Sequence, residues 1–130
     1  MKRSAAEIVR EYGPFAGVEA VHGVTYDGTH VWFASGDRLN AVDPADGKIA
    51  RSIDVAAHAG TAFDGRHLFQ IAEDRIQKID AATGKVLEQL DLPAGTMVSG
   101  LESDGGDRFF CGGGDRGNVR AVRRPKRAAP

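Results

Sequence analysis

The sequence predicts an all-β fold assembled from repeated four-stranded units, and three observations carry that expectation. The segment Gly23-Val-Thr-Tyr-Asp-Gly-Thr-His-Val-Trp-Phe33 is matched, 37 residues on, by Gly60-Thr-Ala-Phe-Asp-Gly-Arg-His-Leu-Phe-Gln70. The register then holds: Asp37-Arg38-Leu39 matches Asp74-Arg75-Ile76, the Asp43–Gly47 turn matches Asp80–Gly84, and Ile53-Asp54-Val55 matches Leu90-Asp91-Leu92. Seventeen of the 130 residues are glycine, enough to supply a tight turn every eight to twelve residues or so. A fixed period of roughly 40 residues in a β-rich chain is the mark of propeller blades, which bury their faces only against neighbouring blades.

Strand signals of the first unit fall at 21–26, 30–35, 38–43 and 48–54, and those of the second at 58–63, 67–72, 75–80 and 85–91. Asp27-Gly28 and Asp64-Gly65 supply the positive φ angles of short hairpins between the first two strands of each unit. Ser35-Gly36-Asp37 turns the second strand into the third, and Asp43-Pro44-Ala45-Asp46-Gly47 is a loop by composition. A third, degraded copy carries Ser99-Gly100, the turn Asp104-Gly105, a strand at Arg108–Cys111, the pair Asp115-Arg116 and a strand at Asn118–Val122. It lacks an outer strand. That strand is supplied by residues 7–12, since Glu7-Ile-Val-Arg-Glu-Tyr12 through Gly17 reads like Lys85-Val-Leu-Glu-Gln-Leu90 through Gly95. A helix over 4–12, capped by Ser4 with Glu7, is the rival.

The expected domain is residues 1–122, with blades at 21–55, 58–92 and 97–122 and a basic flexible tail at 123–130. Three blades are fewer than the four to eight or so of a closed propeller, so two open flanks are expected. Two copies close a six-bladed ring, each N-terminal strand completing the third blade of the other copy. The expectation is a half-propeller that works as a homodimer.

A net charge of −1 gives no reason to expect nucleic acid or an anionic membrane as partner. One cysteine, Cys111, excludes an intrachain disulfide, and Met1–Glu7 lacks the apolar run of a secretory signal, so a cytoplasmic location is expected.

These blades resemble the superfamily of YVTN, quinoprotein-like and glutamine cyclotransferase-type propellers. The resemblance rests on residues 60–70, on Ser99-Gly-Leu-Glu-Ser-Asp-Gly105, and on the Asp-Arg-hydrophobic and Thr-Gly-Lys turns. It implies a cyclotransferase- or lyase-like activity at the channel mouth. Members of that family carry an acid in a Gly-Glu-Gly-Leu-like inner segment, where this chain has His58-Ala59-Gly60-Thr61. Gln70-Ile71-Ala72 stands where an aromatic pocket residue is expected.

The candidate site residues gather, by register, near the propeller axis. His22 and His58 precede inner strands, and a dimer brings four imidazoles toward one channel, where a metal ion is one possible occupant and no other cofactor is implied. Arg38, Arg75 and Arg116 recur at one turn, each expected to pair with the next blade or to hold a small anionic ligand. Glu102 falls where the other inner strands have Thr25 and Ala62, which makes it the general acid/base candidate. His30 and His67 repeat beside the turn aspartates and are expected to bond them. Trp32, Phe69, Phe109 and Phe110 are expected between blades, with Cys111 as a packed thiol. The reading that follows is a non-catalytic scaffold that pairs with itself and offers its channel mouth to a small molecule, with a cyclotransferase-like enzyme as the alternative.

Overall fold

A computed structural model describes residues 1–96, 98–112 and 117–123. Among them there is no helix, so the helical alternative over 4–12 is not adopted, and no helix is long and apolar enough to cross a membrane. Among the described residues eleven strands form three antiparallel sheets. The first holds β1 (Gly23–Tyr26), β2 (Val31–Ala34), β3 (Gly36–Val42) and β4 (Ile49–Ala57). The second holds β5 (Thr61–Phe63), β6 (Leu68–Ala72), β7 (Arg75–Ile79) and β8 (Val86–Asp91). The third holds β9 (Leu101–Ser103), β10 (Arg108–Gly112) and β11 (Val119–Arg123). Within each sheet the strands lie in sequence order, so each repeat is one blade. Arg116 and the residues from 124 onward lie outside the described residues.

Local chemistry explains the turns. Asp27 and Asp64 stand just before their hairpin turns, whose central residues begin at Gly28 (φ 95°) and Gly65 (φ 96°). Each aspartate accepts backbone N–H groups two and three residues ahead, from Thr29 and His30 in one blade and Arg66 and His67 in the next. The recurring histidine therefore bonds the turn aspartate as expected, and does so through its main-chain N–H. The Asp43–Gly47 and Asp80–Gly84 loops close alike, with Gly47 donating to Asp43 O (2.8 Å) and Gly84 to Asp80 O (2.7 Å).

Trp32, Leu39 and Ile53 of blade one pack against Leu68 and Ile79 of blade two. Phe69, Ile76 and Leu90 of blade two meet Phe109 of blade three, the two rings 4.4 Å apart and tilted. Cys111 is buried. Phe110, expected between blades, is 42 % exposed. Alternation along β10 sends it to the face opposite Phe109, and among the described residues that face has no neighbouring blade.

The inner strands approach closely enough that two glycines are obligatory. A Cβ at Gly23 would lie 2.8 Å from Ala59 O and 2.9 Å from Thr61 N; one at Gly60 would lie 2.8 Å from Ser99 O and 2.7 Å from Leu101 N. The same position in blade three is Gly100, where no described atom lies within 4 Å.

Among the described residues, 7–12 pair with no strand. The segment lies against blade one: Arg10 donates to Pro44 O (2.9 Å) and Ala45 O (3.1 Å), Tyr12 donates to Pro44 O (2.9 Å), and Phe15 stacks on Phe33 at 5.0 Å.

Candidate functional site

The two histidines begin their inner strands in the same way. His22 donates its backbone N–H to Ala34 O at 2.9 Å and His58 donates to Ile71 O at 3.1 Å. The main chain is fixed by these bonds while both side chains remain exposed. Their one-residue offset in the repeat reflects an extra residue, Ala59, between the donating His58 and Gly60, whose O accepts from Ile71 at 3.1 Å.

His58 opens onto a cavity of about 370 Å³ beside the β6–β7 turn. Ala59, Ile71 and Val98 form an apolar wall, and His58, Glu73, Asp74 and Thr96 form a polar rim. Asp74 anchors the exit loop of blade two, accepting the Leu92 N–H on its main-chain oxygen (2.9 Å) and the Gly95 N–H on its carboxylate (3.3 Å). Glu73 holds a left-handed backbone (φ 55°) where blade one has Gly36 (φ 100°). An imidazole and two carboxylates over an apolar floor can orient a small molecule that presents a cation or hydrogen-bond donor. Glu73 and Thr96 were not singled out by the sequence, because the repeat aligns Glu73 with a turn glycine.

The other candidates are dispersed. Arg38 sits 3.2 Å from Asp54 on the adjacent strand of its own blade, and Arg75 lies 3.8 Å from Glu73. Neither makes the expected bridge to the next blade. Arg51 makes it: its guanidinium bonds Ala81 O and Ala82 O (3.0 Å to the latter) and lies 5.5 Å from the centre of the Trp32 ring. Blade two has Glu88 at the matching position, so the repeat gave no sign of this contact. Arg116 lies outside the described residues.

Glu102 stands opposite Phe110 in the β9–β10 register, so both point to the flank turned away from blade two. Its side chain is exposed, accepts the Ser103 N–H at 3.0 Å, and does not line the His58 cavity. The expected grouping of Glu102 with the histidines is not formed within one chain. Among the described residues no three His, Cys, Asp or Glu side chains gather as metal ligands. The four-histidine arrangement needs a second copy. Burial pushes the Cys111 thiol up, against the opposing effect of Arg120, so Cys111 is poorly suited to thiolate chemistry.

Solved structures with similar folds fit this description. The propeller domain of Doa1, of the WD40 class, superimposes with a TM-score of 0.66 at 17 % identity over 86 % of this chain and 40 % of that one. Myxococcus xanthus glutaminyl cyclase gives 0.59 at 15 % identity, covering 81 % of this chain and 56 % of that one. Kuenenia stuttgartiensis hydrazine synthase gives 0.57 at 20 % identity, covering 76 % and 32 %. This chain therefore spans between about a third and just over half of those chains, and it has a β-propeller-like fold. No protein-family model matches the sequence, and no curated protein matches it as a sequence relative.

Proposed function

We propose that this chain is a non-catalytic β-propeller scaffold that pairs with a second copy to close a six-bladed ring. Its channel mouth, at His22 and His58, then receives a small molecule or anion. Gly100 carries this reading. Gly23 and Gly60 each receive the backbone of the next inner strand, and Gly100 repeats that position with no described strand against it. The flank around it exposes Phe110, where Trp32 and Phe69 fill the equivalent inter-blade contacts. The opposite end of the arc offers Val24 and Tyr26, also exposed. Three blades of a six-bladed ring turn through half a circle, so head-to-tail contact between two copies closes with two-fold symmetry.

Sedimentation equilibrium tests the reading. The natural chain is expected to form a dimer, and Gly100→Val to remain folded but monomeric. A natural chain that stays monomeric at every accessible concentration overturns it.

The His58 cavity, with its two carboxylates, favours one second reading: a glutaminyl cyclotransferase-like enzyme, the activity for which the Myxococcus protein is named. Ammonia release from a peptide with N-terminal glutamine, abolished by His58→Ala, would establish it.

A further inference from the structure

The N-terminal segment touches blade one through the same contacts by which the outer strand of blade one touches blade two. Arg10 donates to Pro44 O and Ala45 O, and Arg51 donates to Ala81 O and Ala82 O, the same two turn carbonyls one repeat later. A Cβ at Gly47 would meet the Tyr12 ring at 3.2 Å, and a Cβ at Gly84 would meet Ile53 at 3.2 Å. Arg10 thus stands for Arg51 and Tyr12 for Ile53. Residues 10–12 occupy the place of an outer strand belonging to a blade that precedes blade one, and no other strand of that blade lies among the described residues.

We infer that residues 10–12 are a docked template strand that pairs with β11 of a second copy, completing that copy's third blade. This rests on the ring-closure reading and specifies its junction. The sheet order β11-β10-β9 leaves β11 at the edge among the described residues, with Val119 76 % exposed. The register follows from the two complete blades. Leu39 pairs with Ile53, Asn40 with Ser52, and Ala41 with Arg51; Ile76, Gln77 and Lys78 pair with Leu90, Gln89 and Glu88. Transferred to blade three, Val119 faces Tyr12, Arg120 faces Glu11, and Ala121 faces Arg10 of the other copy.

Each of these pairs suits its place. Val119 with Tyr12 is apolar, as Leu39–Ile53 and Ile76–Leu90 are. Ala121 with Arg10 repeats the Ala41–Arg51 pair residue for residue. Arg120 opposite Glu11 places opposite charges across the strands, a favourable arrangement. The Tyr12 side of the template already packs on blade one, which is the face β11 must complete. A second copy is the occupant because its β11 satisfies all three pairs at once.

Charge reversal tests the junction. Glu11→Arg alone and Arg120→Glu alone place like charges at both junctions of a ring, and each is expected to weaken the dimer about tenfold at low salt. Mixing the two variants restores both attractive pairs in a heterodimer, so the mixture is expected to regain the natural affinity. Restoration upon mixing supports the inference. A dimer unaffected by either reversal, or a mixture no tighter than its components, overturns the strand pairing while leaving ring closure standing. A natural chain that never dimerises overturns both. Circular dichroism of each variant distinguishes a weakened junction from a misfolded blade.

Discussion

Gly60 donates its N–H to Ser99 O at 2.9 Å, and a Cβ added to Gly60 would come within 2.8 Å of that oxygen. The inner strands of blades two and three are therefore held at a separation that only glycine permits. Overpacking at such a backbone contact cannot be relieved by turning a side chain. Gly60→Ala is expected to cost about 2 kcal/mol or more, and Gly23→Ala a similar amount. Gly100→Ala, with open space before it, is expected to stay within about 0.5 kcal/mol in the monomer. Urea unfolding of the three variants under monomeric conditions checks the order.

Asp27 makes a side-chain bond in blade one that its counterpart in blade two cannot receive from Phe69. Besides the main-chain bonds common to both, Asp27 accepts the indole N–H of Trp32 at 2.8 Å, whereas the side chain of the matching Phe69 has no N–H to give. Trp32 is 2 % exposed, so Asp27→Ala leaves a buried donor without its acceptor. The expected loss is larger than for Asp64→Ala by about 1–2 kcal/mol. Adding Trp32→Phe to each background should shrink that difference, as thermal denaturation of the four proteins would show.

The same aspartate sets an acid limit. Burial raises the Asp27 carboxyl, but the His30 N–H, the Trp32 indole and the Thr29 N–H outweigh it and hold the group below its ordinary value. At Asp80 the Ala82 N–H is the leading cause of a downward shift. A depressed folded-state value means that the stabilisation is present above the unfolded carboxyl value of about 3.9, and is lost as pH falls through the lower folded value. Melting temperature is expected to drop steeply below about pH 4. Asp27→Asn should flatten part of that drop, and an unchanged acid profile would count against the assignment.

What the sequence made legible follows from what a repeat can report. The period located the turns, the blade order and the burial of Trp32 and Phe69, because those features depend on contacts that recur. Phe110 and Glu102 occupy recurring positions too, but their environment depends on a neighbouring blade that is not found there among the described residues. Arg51 escaped notice for the opposite reason: its bridge to Ala81 and Ala82 has no counterpart at Glu88. The match between residues 7–17 and 85–95 raised the expectation of a strand at 7–12, a segment that forms none among the described residues, and gave no hint of the turn carbonyls that Arg10 and Tyr12 use.

Glu73 is the one non-glycine residue among those described with a positive φ, 55°, where blade one uses Gly36. Its left-handed backbone costs roughly 1 kcal/mol, and glycine there removes that strain while adding some chain entropy to the unfolded state. Its contact with the half-buried Arg75, at 3.8 Å, leaves the Glu73 carboxylate exposed and contributes little in return. Glu73→Gly is expected to be stabilising by about 0.5 kcal/mol, measured by denaturant midpoint. A loss above 1 kcal/mol or so would show that the Glu73 side chain itself holds the β6–β7 turn.

Glu102 offers the sharpest check on ring closure that leaves the N-terminal strand untouched. Thr25 and Ala62, its counterparts, face the next blade, and Ala62 is buried there. Docking a second copy on the Phe110 flank would take the Glu102 carboxylate out of water, which is unfavourable unless a partner compensates. Glu102→Ala restores the residue found at position 62 and is expected to tighten the dimer about tenfold without changing monomer stability. Sedimentation equilibrium gives the affinity, and chemical denaturation of dilute protein gives the stability. A weaker dimer in this variant would mean that Glu102 is paired across the junction, and an unchanged one that the flank is not where the copies meet.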